Sequence, residues 1–334
     1  MKDIAQKANV SVATVSKVLS GKSSEISDLT KDKVKRISRE LHYKPNLLAS
    51  GLKQNNSKTI GFIMPEIKNP YFSTISEGIY SVAKQHNYSL LICITEGEYS
   101  EEIKALNLLQ SKRVDGIILS SIDPILLEDQ VKYCECPLVY VDRTPIPKTL
   151  NKNIGSVSIN TVNEFRKNTT YLIKQGCKKI AFISAANNNS LKRKVGYEKA
   201  LFNYGIKIDY ALEYLKKYDI ESGYDGTLSL LKENSDIDGI ICGNDLIAIR
   251  VLKALREKNI NCPQDIKVIG FDDIDWSAYT IPSLTTVKQP SFDYGKIACK
   301  MLIEKIKNNK DLDNKIVKCE LVERDSTSNN KSTI

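Results

Sequence analysis

The chain has 334 residues, enough for two domains or for one large α/β unit with a small module beside it. Hydrophobic content of 41% and charged content of 27% exclude a disordered chain, and apolar runs as short as "KTIGFIMP" and "VDGIIL" exclude a membrane-crossing helix. The net charge of +9 sits mostly at one end. Residues 1–58 hold ten Lys and two Arg against three Asp and two Glu, a net +7. Such confinement is the footprint of a polyanion-binding module, the alternative being a solvated basic surface with no partner. "MKDIAQKA" is polar and amphipathic rather than a signal peptide, so a cytoplasmic protein is expected.

In chain order, Ile4, Ala5 and Ala8 make one apolar face of a first short helix, which "ANVS" breaks. Ser11 is placed to cap a second helix, Val12 to Leu19, with Val15, Val18 and Leu19 facing inward. "SGKSSEIS" reads as a loop. Ser27 is the expected cap of a third helix, striped by Val34, Ile37 and Leu41 and ended by Pro45. "NLLASGLKQ" predicts a very short fourth helix, marginal because of Gly51.

From Lys58 the texture becomes alternating. Strands are expected at "TIGFIM", "SLLICIT", "GIILSS", "LVYVD", "SVSIN", "KIAFIS", "GIICGN" and "KVIGFDD", with helices such as "PYFSTISEGIYSVAKQHN" and "SEEIKALNLLQSK" between them. That order predicts parallel sheets with helices on both faces. "KTIGFIMPE" resembles "KKIAFISAA", and "VDGIILSS" resembles "IDGIICGN", so two related α/β lobes are expected in series. Ligands of such sheets bind outside the carboxyl ends of the strands. Those ends offer Asp142, Arg143, Asn244, Asp245, Asp272 and Asp273, suited to hydroxyl groups; the plainer reading of each is a cap on the following helix. The eight Cys mostly flank strand-like runs and read as small buried hydrophobes, and the C-x-C of "YCECP" has no neighbouring pair to complete a metal site. No metal, cofactor or catalytic residue is expected.

A helix, a tight turn and a second helix presenting Ser11, Val12, Ala13, Ser16 and Lys17 form a helix-turn-helix pattern. Short side chains let such a helix lie deep in a major groove. Ser and Thr suit phosphates, Val and Ala suit thymine methyls, and Lys17 suits guanine acceptors.

With these residues laid out, the chain resembles the lactose-repressor family of bacterial transcription regulators almost end to end. "KDIAQKANVSVATVSKVLSG" and "LHYKPNLLASGLK" resemble its DNA-binding headpiece and hinge. "IGFIMPEIKNPYFSTISEGI", "KRVDGIIL", "IGFDD" and "PSLTTVKQP" resemble its core. The resemblance implies an N-terminal all-α helix-turn-helix headpiece over 1–57, with a hinge helix at about 45–54. It further implies a two-lobed α/β periplasmic-binding-protein-like core over 58–328, with parallel sheets and three crossings between lobes. It implies that Val12, Ala13 and Lys17 read bases, and that Ser11, Thr14 and Ser16 hold phosphates. Asn46 and Ala49 contact DNA from the hinge, and Leu52 enters the minor groove as a wedge. The implied effector residues are Tyr71, Phe72, Asp142, Arg143, Arg193, Tyr218, Asn244 and Asp272, a set suited to a sugar or sugar derivative. Tyr71 and Phe72 read alternatively as lobe core, and Leu52 as an ordinary linker residue.

The expected function is a homodimeric repressor of carbohydrate-utilisation genes, binding a pseudo-palindromic operator under control of a small sugar-like effector. A ligand preferring the DNA-incompetent state acts as inducer, one preferring the competent state as corepressor. The tail "ERDSTSNNKSTI" carries no heptads, so no zipper-made tetramer is expected. Two departures stand out: Glu164 and Phe165 replace a Gly pair common among relatives, and Ser50 replaces a frequent hinge Arg. The alternatives are a regulator controlled by a phosphorylated partner protein, docking near Lys300, and, lower, an enzyme acting in the cleft. Only His42 and His86 are present, with no nucleophile motif or phosphate-cradling loop, which disfavours the enzyme. A plain binding protein leaves the basic helix-turn-helix unexplained.

Overall fold

The structure is a computed structural model that describes residues 1–19, 21, 23–43, 56–144, 152–216 and 221–328. The chain divides into two units, Met1–Ser57 and Lys58–Ile334. The expected hinge helix, with Asn46, Ala49 and Leu52, and also Tyr218 lie outside the described residues.

The first unit contains α1 (Lys2–Ala8), α2 (Val12–Leu19) and α3 (Asp28–Glu40). Ile4, Ala5 and Ala8 of α1 bury against Val15 and Val18 of α2 and Val34 and Ile37 of α3, with Leu19 and Leu41 partly covered at the margin. Asn9 closes α1 in the left-handed conformation, φ 55°, letting the Val10 N–H reach back to the Ala5 carbonyl. The turn between the first helices therefore rests on one residue that tolerates positive φ. Ser11 caps α2 as expected, its Oγ accepting the Thr14 N–H at 3.0 Å. Ser27 occupies the cap position of α3, but its hydroxyl bonds to the Thr30 hydroxyl rather than to a backbone amide. Nor does α3 run to Pro45. It stops at Glu40, where His42 turns left-handed at φ 46° and the Tyr43 N–H bonds the Ser38 carbonyl.

The second unit holds two parallel sheets. One runs β11-β5-β4-β3-β1-β2, from β1 (Thr59–Met64), β2 (Ser89–Ile94), β3 (Gly116–Leu119), β4 (Leu138–Asp142), β5 (Ile154–Ser158) and β11 (Asn314–Ile316). The other runs β7-β6-β8-β9, from β6 (Ile180–Ala185), β7 (Glu213–Lys216), β8 (Gly239–Cys242) and β9 (Lys267–Ile269). The sequence repeat is a structural one: β1 lies between β2 and β3 as β6 lies between β7 and β8, with Ile60 opposite Gly116 and Ile180 opposite Gly239. Alternate residues of β1 face opposite layers. Ile60, Phe62 and Met64 pack on α4 (Pro70–Gln85) and α11 (Ser291–Asn308), whereas Ile63 packs on α5 (Tyr99–Ser111). The second sheet is covered likewise by α7 (Thr161–Lys174) and α8 (Asn188–Asn203) on one face, and by α9 (Glu221–Glu233) and α10 (Asp245–Glu257) on the other. A short α6 (Glu128–Lys132) closes the first lobe.

The chain passes between lobes after β5, along β10 (Thr286–Lys288), and along β12 (Glu320–Val322), where β10 and β12 pair antiparallel. The sequence reading omitted β7, β10, β11 and β12. Each has three or four residues, and β11 is wholly exposed, so none carries a readable alternation. Among the described residues no helix is long and apolar enough to cross a membrane.

Two features fix the site from behind. The backbones of α4 and α11 touch at glycines: a Cβ on Gly78 would lie 2.0 Å from the Phe292 carbonyl oxygen, and one on Gly295 2.1 Å from that of Ile75. Asp245, fully buried at the start of α10, accepts from the Ile274 N–H and from the Ser277 and Thr286 hydroxyls, tying α10 to the crossing strand.

Gly78→Ala is expected to destabilise the chain by about 1–3 kcal/mol, since backbone oxygen cannot step aside as a side chain does. Thermal unfolding beside the exposed Glu77→Ala of the same helix measures it, and equal melting temperatures would contradict the packing account. Burial lifts the Asp245 carboxyl from 3.8 to about 6, against its three hydrogen bonds. The folded chain therefore holds that proton more tightly than the unfolded one. Its contribution weakens the fold as pH rises from 3.8 to about 6, and the loss is complete above that window. Relative to Asp245→Asn, the native chain should gain stability on acidification from pH 7 to pH 4.5, as read by urea unfolding. A constant difference would contradict the shift.

Candidate DNA-reading helix and inter-lobe effector site

In the first unit, burial sorts α2 into two faces. Val15 and Val18 are enclosed, while Ser11, Val12, Ala13, Ser16 and Lys17 are exposed and Thr14 is half-buried. Val12 is 43% exposed, its side chain open to a partner on this face. Ser11 and Thr14, expected on phosphates, also bond to one another at 2.9 Å, so their oxygens serve the cap as well. Lys17 lies 3.8 Å from Glu25, with both side chains well exposed. Such a pair is worth little in water and yields readily to a phosphate or a base. The six expected residues thus lie on the first two turns of one helix and its cap.

In the second unit, the strand ends converge as the topology requires. Asp142 ends β4 at φ 68°, with the Arg143 N–H donating to the Val141 carbonyl across it at 2.8 Å. Asp272 and Asp273 follow β9 at φ 133° and 56°. Non-glycine residues held at such angles are strained, and strain of this kind gathers at binding sites. The Asp142 carboxylate lies 3.5 Å from the Arg143 guanidinium, both side chains almost fully enclosed. Arg193 on α8 and Asn244 before α10 are 3% exposed, and Asp272 6%.

Gln289, beyond β10, links the lobes. Its Nε2 donates to Asp272 Oδ1 at 2.7 Å, and its Oε1 accepts from the hydroxyls of Tyr71 and Tyr294, each at 3.3 Å. Two phenols donating to one end of the amide fix its orientation. Burial, and then the nearby Asp245 carboxyl, push Asp272 far above the ordinary carboxylate range, while Arg193 and the Gln289 hydrogen bond pull the other way. Burial and Asp142 raise the Tyr71 phenol in the same manner. Asp142 stands beside Arg143, and Arg193 acts on Asp272 within electrostatic reach. The arrangement suits many hydrogen bonds to a hydroxyl-bearing ligand.

The expected residues divide by environment. Tyr71 follows the Asn69 cap and Pro70 of α4, and it both bonds Gln289 and lines a cavity of about 430 Å³ with Asp272, Lys288 and Phe292. Phe72 packs into the lobe core, its ring edge-on to Tyr71 at 5.2 Å. Asn244 Oδ1 caps α10 by accepting the Ile247 N–H, so the plainer reading of that residue holds at least for its oxygen. Asp273, offered with the strand ends, is instead engaged by Arg324 at 2.6 Å, and Asp245 is structural as described. Gln289 and Tyr294 were missed. Among the several polar residues of "PSLTTVKQP" nothing marks the Gln as the enclosed one, and Tyr294 reads as core. Glu164 pairs with Lys167, and Phe165 is fully buried. All eight Cys are free thiols, with Cys177, Cys242 and Cys299 buried.

Comparison with known proteins agrees with this geometry. The sequence model for bacterial regulatory proteins of the lacI family matches residues 1–46, and that for a periplasmic binding protein-like domain matches residues 169–327. The HTH-type transcriptional regulator RegA of Clostridium saccharobutylicum is 37% identical over 98% of both chains. The ribose operon repressor of Haemophilus influenzae is 33% identical over 92% of both. A crystal structure of the lac repressor dimer bound to operator and the anti-inducer ONPF superposes with a TM-score of 0.85, at 26% identity over 97% of this chain and 98% of that one. Full-length likeness to regulators of this kind shows that the chain belongs to the lacI family, a DNA-binding transcription regulator and not an enzyme.

Proposed function

We propose that the chain is a repressor of carbohydrate-utilisation genes that binds a pseudo-palindromic operator as a homodimer and responds to a small sugar-like effector between its lobes. The observation that carries the DNA half is the two-faced α2, whose exposed side bears Val12, Ala13, Ser16 and Lys17 in a segment of net charge +7. In this reading Val12, Ala13 and Lys17 meet base edges, Ser11, Thr14 and Ser16 meet phosphates, Asn46 and Ala49 contact DNA from the hinge, and Leu52 enters the minor groove. A dimer suits the surface of the second unit. Trp276, Tyr279 and Ile281 are exposed, as are Ile92 and Ile94 on the edge strand β2, and a second copy would cover such apolar surface. The effector half rests on Asp142 beside Arg143, on Arg193 within electrostatic reach of Asp272, and on Tyr71, which shares Gln289 with Asp272; Asn244 is assigned to the same site in this reading. Sugar hydroxyls both donate and accept, so they can exchange hydrogen bonds with these enclosed groups.

Selection from random duplex DNA by the purified protein should enrich a palindrome with a flexible central step. Lys17→Ala should then weaken binding to it by about 1–3 kcal/mol and relax preference at the contacted position. No enriched palindrome, or an unaffected Lys17→Ala, would overturn the assignment of α2.

A further inference from the structure

Arg193 carries a full charge at 3% exposure, where bulk water does little to stabilise it. Its guanidinium carbon lies 5.7 Å from the centre of the Phe165 ring and 5.6 Å from that of Phe271, both within the range at which an aromatic face attracts a cation. The two rings are 4.8 Å apart at an interplanar angle of 30°. Phe165 in turn stands edge-on to Phe182 at 6.3 Å, and Phe182 stacks on Tyr197 at 5.4 Å. The Tyr197 hydroxyl is anchored by donating to the Ile180 carbonyl at 2.8 Å. The rings cannot swing without disturbing α7, β6 and α8 together.

A glycine makes the arrangement possible. A Cβ on Gly196, one turn along α8 from Arg193, would lie 2.4 Å from the Val162 carbonyl oxygen and 2.7 Å from Phe165 Cβ. The helices therefore approach closely at the point that brings Phe165 beneath Arg193.

We infer that Phe165 and Phe271 are positioning residues that hold the Arg193 guanidinium ready in the inter-lobe site, an assignment that rests on the effector reading above. An arginine loses much rotamer freedom when it is fixed, and a clamp that fixes it beforehand removes that cost from ligand binding. A ring face attracts the charge without occupying an N–H donor. Leu or Met at position 165 would fill the space without the attraction, so the effect of the ring separates from that of volume. Arg193 also draws the proton affinity of Asp272 downward, as a cation held near that carboxyl must.

The test uses the full-length chain. The Arg193 Nε–Hε resonance, assigned by its loss in Arg193→Lys, should lie upfield of those of exposed arginines through the ring currents. It should move back toward them in Phe165→Leu and stay in place in Phe165→Tyr. Phe165→Met serves if Phe165→Leu does not fold. A resonance unmoved by loss of the ring overturns the clamp whatever the effector is. Release from the selected operator is then titrated with D-ribose, maltose and cellobiose. Phe165→Leu should raise the half-effective concentration of the acting sugar by about three- to thirty-fold. If Arg193→Lys responds as the native chain does, the effector reading fails, while the resonance still decides the clamp. If Arg193→Lys weakens the response and Phe165→Leu does not, the positioning role is refuted.

Discussion

One buried amide just beyond a crossing strand holds together groups from both lobes. Gln289 gives its N–H to Asp272 of the second lobe and takes the hydroxyls of Tyr71 and Tyr294 from the first. Groups so enclosed must be satisfied, because each lost partner costs the full desolvation of the one left behind. The relative placing of the lobes is thus not free to drift. It is registered by hydrogen bonds at the place where a ligand would compete for the same carboxylate and phenol. A ligand that rearranges these bonds changes which lobe arrangement is favoured, and that difference in affinity is all that a switch requires.

The scaffold behind this contact is arranged to keep it firm. Glycine-mediated contact of α4 with α11 fixes the helix that bears Tyr71 against the helix that bears Tyr294. Asp245 binds the start of α10 to the crossing strand, beside Asn244. Strained backbone at Asp142 and Asp272 points to the same conclusion, since positive φ at a non-glycine residue persists only where its surroundings impose it. Stability has been spent on geometry at the strand ends, where the parallel-sheet topology puts binding sites in general.

Much of this was legible beforehand. The two-faced α2, the Ser11 cap and the paired lobes follow from local periodicity, capping chemistry and an internal repeat, all of which are properties of short stretches. What escaped were features created by distant partners. The strands β10, β11 and β12 are too short to show a period, and become strands only because another segment lies beside them. His42 ends α3 in place of Pro45 because a left-handed residue can close a helix as well as a proline can stop one. Asp245 looked like a ligand group and proved a structural tie, since nothing in "GNDL" announces the Ser277 and Thr286 hydroxyls some thirty and forty residues on. Phe165 stands out in the sequence as a replacement for a common Gly, but nothing local announces that its ring lies under Arg193.

The account stands on a coupling between the site around Asp272 and the affinity for DNA, and that coupling can be measured directly. Operator affinity is determined by fluorescence anisotropy across a panel of neutral mono- and disaccharides, for the native chain and for Asp272→Asn. One sugar should shift the native affinity by about 5- to 150-fold, the usual range of coupling between two sites. Asp272→Asn should bind the operator as the native chain does in buffer alone and lose the shift. A native chain indifferent to every sugar, or an Asp272→Asn chain that responds in full, would contradict it.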